Sequence, residues 1–258
     1  MDSKKALRII IILLLVVNIF MTIYITNLAF SEPKSEDELK HVIQLLEYRD
    51  IKLECDIPQY AAPSAELIYI EADNTEILNY LSNIEGLLYE DEASKQIIFE
   101  PVVTQRYENF SLDLATQLSD SFVENLPVKS ESYMLDSILT AGVNIYKFSY
   151  IYVDGSSYIY DKKIEITISR DGIDQVIISN VNYQVSDTEY NRATVSIGNI
   201  LASGFIRQGQ SFITIKKIDA GYLYDDETSS IMNVWRVMYN NGQERYFSSV
   251  DGTIINKN

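Results

Sequence analysis

The residues able to do chemistry are few. The chain has one histidine, His41, and one cysteine, Cys55. That pair cannot build a soft-metal centre, which wants about four Cys or His ligands. A Ser-His-Asp triad would need His41, and no motif serine lies near it. GxSxG, HExxH, CxxC, a Gly-rich phosphate loop and an EF-hand loop are all missing from the sequence. Ser31-Glu32-Pro33-Lys34 has SxxK spacing but lacks the companion SDN and KTG motifs, so it reads as chance. Asp and Glu total 37, and two carboxylates meeting in a cleft could hydrolyse a glycosidic bond. With so many acids this signal has little specificity. Glu90-Asp91-Glu92 and Asp225-Asp226-Glu227 could hold Ca²⁺ loosely, but solvated turns explain them better. No catalytic, cofactor-binding or metal-binding residue is expected, and the chain reads as a binding or regulatory protein rather than an enzyme.

Composition narrows the partners. The formal charge is −16 and the pI about 4.4. Such a chain repels phosphate backbones, so a nucleic-acid partner is excluded. Hydrophobic content is 47% and charged content 22%, the range of folded proteins. A single cysteine closes no internal disulfide. Cys55 alternates with Ile51 and Leu53 and reads as a small, buried apolar residue.

The elements that must position any site begin with an apolar stretch. From Leu7 to Leu28 only Arg8, Asn18, Thr22, Thr26 and Asn27 are markedly polar. A helix of that length spans roughly 33 Å, enough to cross a bilayer core of ~30 Å. Lys4, Lys5 and Arg8 precede the stretch, and Glu32, Glu36, Asp37 and Glu38 follow it. The positive-inside rule then places the N-terminus in the cytoplasm and residues 32–258 outside the cell. Ala29-Phe30-Ser31 offers a signal-peptidase site, but the apolar run exceeds the usual ~7–15-residue signal core. A retained single-pass anchor in the cell membrane is therefore expected. Asn18, Thr22 and Thr26 recur at i, i+4 and i+8 and line one helix face. They are the candidate contact with a partner helix, at a gain of about 0.6–2 kcal/mol. The alternative is that the bilayer tolerates one uncharged amide with no further consequence.

Outside the membrane the pattern predicts α+β. Ser35-Glu36-Asp37-Glu38 is a capping box ahead of Leu39, Val42, Ile43 and Leu46, an apolar helix face with His41 on the other side. Asp73-Asn74-Thr75-Glu76 opens a second helix with Ile77, Tyr80, Leu81 and Ile84 inward, and Gly86 as its stop. A helix over Ser111–Leu126 follows, then strands separated by Asp154-Gly155 and Asp171-Gly172 turns. Ser186-Asp187-Thr188-Glu189 predicts one more helix, with Tyr190, Ala193, Ile197, Ile200 and Leu201 inward and Gly204 as its end. A closing meander turns at Asn241-Gly242 and Asp251-Gly252. The expected parts are 1–31, anchor; 32–108, a first α+β part; 109–187, helix plus antiparallel sheet; and 188–258, a second such unit. Nineteen tyrosines are present. Tyr146, Phe148, Tyr150 and Tyr152 share one strand face, which the preceding helix is expected to cover.

Several stretches carry a resemblance. The span "VVNIFMTIYITN", "LLEYRDIKLECDIP", "YVDGSSYIYDKKIEITISRDGI" and "VSIGNILASGFIRQGQSFITIKKIDAGYLY", followed by "VWRVMYNNGQERYFSSVDGTIIN", together resemble the YycI (WalI) family. The last segment is also similar to PepSY-type modules. The resemblance implies a non-enzymatic, membrane-anchored regulator of the YycFG (WalRK) two-component system, which controls the cell wall. It implies a YycH-like protein and the sensor histidine kinase as membrane partners, reached partly through transmembrane helices, and a heterodimer with the former. The alternatives from other classes are a membrane-anchored cell-wall glycoside hydrolase and a PepSY-like protease inhibitor.

Overall fold

Alternation of side chains along the strands writes most of the architecture. Ile164, Ile166 and Ile168 are fully buried, while Glu165 and Thr167 between them face the other way. That period of two is the signature of a sheet covered on one face. The computed structural model describes residues 35–58, 65–70, 72–91, 95–102, 105–155, 157–179, 181–189, 195–225, 230–240 and 242–255. The expected span, with Asn18, Thr22 and Thr26, lies outside the described residues, as do residues 31–34. Among the described residues no helix is long and apolar enough to cross a membrane.

The described chain is mixed α+β and mostly strand. Its helices are α1 (Ser35–Tyr48), α2 (Thr75–Ser82), α3 (Leu112–Asn125) and α4 (Ile197–Leu201), the last running into a π turn at Ala202–Ile206. A first, wholly antiparallel layer is built from β3 (Gly86–Asp91), β4 (Gln96–Pro101), β5 (Tyr133–Gly142), β6 (Ile145–Asp154), β7 (Ser157–Ser169) and β8 (Gly172–Ser179). Their spatial order is β5-β6-β7-β8-β4-β3. A second layer holds β1 (Ile51–Leu53), β10 (Ile213–Asp225), β11 (Ser230–Tyr239), β12 (Gln243–Ser248) and β13 (Ile254–Ile255). Here β1 runs parallel to β10 and the rest form a meander. The layers join where β10 meets β7 in parallel, through Gly221↔Tyr158 and Tyr222↔Ile159. A separate ribbon pairs β2 (Ala65–Ile70) with β9 (Asn182–Glu189).

Each layer has its own core. Ile77 and Leu81 of α2 and Ala115 and Val123 of α3 pack on Phe148, Ile164, Ile166 and Val176. Ser111 caps α3 as its sequence predicts, its Oγ accepting from the Leu114 amide at 3.2 Å. The tyrosine face of β6 lies under this helix: the Tyr150 hydroxyl donates to Asp120 Oδ1 at 2.6 Å and shares a 2.7 Å bond with Ser119 Oγ. In the second layer Leu46 of α1 and Ile51 of β1 join Ile200, Leu201, Phe205 and Trp235 in one core. His41 is exposed, and Cys55 is half-buried against the same core.

Three local expectations are corrected. Residues 182–189 form β9 rather than the start of a helix. Strand pairing puts Tyr183 opposite Tyr69 and Val185 opposite Leu67, and a ladder of backbone bonds outweighs a capping box worth about 1 kcal/mol. The helix begins at Ile197 instead, with Ser196 Oγ accepting from the Asn199 amide at 3.4 Å. Ile197, Ile200 and Leu201 are buried as expected, while Tyr190 and Ala193 lie outside the described residues. Gly204 sits inside the π turn rather than ending a helix. A Cβ there would stand 2.3 Å from Cζ of Phe247, so the ring packs where any side chain would be. Gly86 opens β3 rather than stopping α2, which ends at Ser82.

Candidate functional site

One irregularity in β7 shapes both places where polar chemistry collects. Tyr152 of β6 pairs with Ile159, and Ile151 pairs with Lys163. Tyr160, Asp161 and Lys162 therefore have no partner on β6 and bulge from the ladder, which re-aims their side chains. Tyr160 turns toward the seam between the layers, and Lys162 toward a groove beside the ribbon.

The seam is a buried charge cluster centred on Arg236, which is fully buried. Its guanidinium grips Asp219 through Nε (2.9 Å) and Nη2 (2.6 Å), and Asp136 through both Nη atoms (2.7 Å each). Nη1 also reaches Glu244 Oε1 at 3.2 Å. Lys217 Nζ donates to Asp136 Oδ1 at 2.6 Å and lies 3.3 Å from Asp219 Oδ2. The hydroxyls of Tyr160 and Tyr246 donate to Asp219 and Glu244, each at 2.6 Å. The Arg236 guanidinium also lies 4.6 Å from the centroid of the Tyr160 ring. Asp136 belongs to β5 and the others mostly to β10, β11 and β12, so the cluster ties one layer to the other.

This arrangement brings carboxylates together, yet it is poorly made for general acid catalysis. Burial alone would raise the Asp136 carboxyl; hydrogen bonds and charge from Arg236 and Lys217 outweigh that and hold it below the usual aspartate range. A glycosidase acid needs the opposite, a proton retained near neutral pH. The lowered value has a consequence for stability. The contribution of Asp136 is complete above the unfolded value near pH 4 and is lost as pH falls through the lowered folded value. Asp136→Asn is therefore expected to flatten the acid limb of a stability-against-pH curve below about pH 4. Urea midpoints measured across that range check it; an unchanged acid limb would contradict the assignment.

The groove lies between α2, the β5–β6 end of the first layer and the ribbon. Its inner cavity, about 590 Å³, is lined by Lys162, Tyr133, Tyr152, Tyr183, Asn182 and Ile77, with Asp73, Glu76, Lys129 and Asp154 at its rim. Lys162 Nζ lies 4.5 Å from the Tyr152 ring centroid and 6.0 Å from that of Tyr183. It donates to Asn182 Oδ1 at 3.2 Å. Burial and nearby Lys129 push its pKa down, partly opposed by Asp154. Tyr133 stands edge-on to Tyr152 at 5.4 Å. A second cavity of about 750 Å³ shares Asp73 and continues toward Tyr69 and Lys95.

Nothing in the sequence set these residues apart. Lys162 and Lys163 are adjacent and alike in type; strand alternation puts them on opposite faces, Lys163 with Glu165, and the bulge at 160–162 sets where Lys162 ends up. Asp136 and Arg236 lie 100 positions apart. Among the acidic turns, Glu90 and Asp91 are on the edge strand β3, and among the described residues no group of three or more His, Cys, Asp or Glu could hold a metal ion.

The fold and the two sites define an α+β chain whose single eleven-stranded sheet has two helix-covered, mostly antiparallel parts, joined by parallel pairing of β10 with β7 and by a buried ionic seam. No family model matches the sequence, and no curated protein matches it. Solved structures resemble it at low identity. An uncharacterized protein from Eubacterium rectale ATCC 33656 is 9% identical, with a TM-score of 0.46 over 85% of this chain and 99% of that one. The C-terminal domain of Bacillus megaterium YpeB is 10% identical, with a TM-score of 0.42 over 87% of this chain and 95% of that one.

Proposed function

We propose that this chain is a non-enzymatic, membrane-anchored regulator whose outer region binds partner proteins and whose N-terminal span biases a sensor histidine kinase of the cell-wall-controlling kind. The observation that carries this reading is the position of α1. It starts at Ser35, a few residues after the expected span ends at Leu28, and Leu46 of α1 is fully buried in the core of the second layer. Leu39 and Val42 pack on the same core. A helix held this way moves with the outer core, so displacement of that core carries the Ser35 end of α1 with it. Helix–helix contacts through Asn18, Thr22 and Thr26 would then supply the differential binding to two kinase states that any such bias requires. A YycH-like protein is the natural second partner, in a heterodimer.

Co-purification from membranes tests the reading. The full-length chain is expected to bring down a histidine kinase and a companion single-pass protein. A chain lacking residues 1–30 is expected to lose the kinase. Recovery of the mature protein free in the medium, beginning near Glu32 and fully functional, would overturn the proposal.

A further inference from the structure

We propose that the inner cavity of the groove is a binding site for a small zwitterion, an amino acid or dipeptide, with its carboxylate on Lys162 and its ammonium group toward the acidic rim. This goes beyond the membrane partnership above and does not depend on it.

The first observation is a half-buried cation with no carboxylate bonded to it. Lys162 is half-buried, and among the described residues its ammonium makes no ion pair with a carboxylate. An ammonium has three protons to donate, and one goes to Asn182 Oδ1. By contrast, Lys147 and Lys163 pair with Glu165, and Lys217 pairs with Asp136 and Asp219. Withdrawing a charge from water is costly unless a partner of opposite sign is supplied. The second observation is independent. Tyr133, another residue of the cavity wall, is 9% exposed, and its hydroxyl has no hydrogen-bond partner. A buried hydroxyl normally has one. The Tyr133 hydroxyl is itself shut off from the cavity space, so Lys162 is the charged donor that the cavity presents.

The rest of the lining selects the ligand. A plain anion such as phosphate would meet Asp73, Glu76 and Asp154 at the rim, set against one rim cation, Lys129. A neutral sugar would bring Lys162 no carboxylate. A molecule negative at one end and positive at the other satisfies both. The Tyr152 and Tyr183 rings and Ile77 offer an apolar and aromatic wall for a side chain between the two charges. A cavity of about 590 Å³ suits a ligand of that size. The adjoining cavity that shares Asp73 leaves room for a second residue.

Titration calorimetry and NMR on the full-length chain in detergent test this with four probes: L-phenylalanine, glycyl-L-phenylalanine, phenylalaninamide and N-acetylphenylalanine. The two zwitterions are expected to bind in the millimolar range or tighter. Removing the carboxylate, as in the amide, or the ammonium group, as in the acetylated form, is expected to weaken binding by about tenfold or more, about 1.4 kcal/mol. Lys162→Gln is expected to abolish binding while Lys162→Arg retains it, which separates loss of the charge from loss of the fold. The proposal is overturned if neither zwitterion binds up to about 10 mM, if the amide or the acetylated form binds as well as the parent, or if a folded Lys162→Gln binds unchanged.

Discussion

Arg236→Met is expected to destabilise the folded chain by roughly 3–5 kcal/mol, because it leaves buried carboxylates without their counter-charge. The arginine is fully buried and holds Asp136 and Asp219, each through two hydrogen bonds, with Glu244 as a third acidic neighbour. Lys217 remains as the nearest cation, but it is a point charge on the flank and cannot present a planar fork to two carboxylates at once. Methionine matches much of the arginine volume, so the loss reads electrostatics more than packing. Combining Arg236→Met with Asp136→Asn and Asp219→Asn is expected to recover part of the deficit, since it removes the two buried carboxylates that the single change leaves without their counter-charge. Urea unfolding of the single and triple variants checks both statements. A loss below about 1 kcal/mol for Arg236→Met would mean that the cluster is more hydrated than its geometry indicates.

Gly221→Ala is expected to cost about 1–3 kcal/mol and to weaken the joint between the layers specifically. Gly221 is one of the two residues through which β10 pairs with β7. A Cβ built on it would lie 2.3 Å from the Tyr158 carbonyl oxygen and 2.9 Å from a ring carbon of Tyr160. The carbonyl belongs to the backbone and cannot swing aside, so the strands must separate. Gly155→Ala is the control. Gly155 has a φ of +60° and open space around it, so the substitution carries only the backbone cost of about 1 kcal/mol. Calorimetric traces distinguish the two: the Gly221 variant is expected to broaden or split the unfolding transition as the layers lose their coupling, whereas the Gly155 variant keeps one. A single sharp transition in the Gly221 variant would show that the ionic seam alone couples the layers.

What could be read from the sequence follows from how local each cause is. The Ser111 cap, the isoleucine alternation of 164–168 and the turns at Gly155, Gly172 and Gly252 are settled within a few residues, and each stands where the pattern put it. The helix face of α1 was legible too, but not its destination: Leu46 meets residues about 150–200 positions further on, a pairing that periodicity does not encode. At 182–189 a helix-start signal and a strand compete, and the ribbon partner β2, more than a hundred residues earlier, decides between them. The groove was invisible for a further reason. Alternation from Ile164 puts its cation, Lys162, in the phase of the inward isoleucines, but the bulge that sets it beside the ribbon arises only when β6 and β7 are paired.

The packing of α1 and β1 into the last-made part of the chain bears on biogenesis. Leu46 and Ile51 are among the first core residues to leave the ribosome, yet Trp235 and Phe247 complete their burial. Until nearly the whole polypeptide has been synthesised, an oily helix face sits bare. Escort by a chaperone over that interval is the requirement this topology imposes, and C-terminal truncations lacking β11 and β12 should be degraded rather than accumulate as partly folded protein.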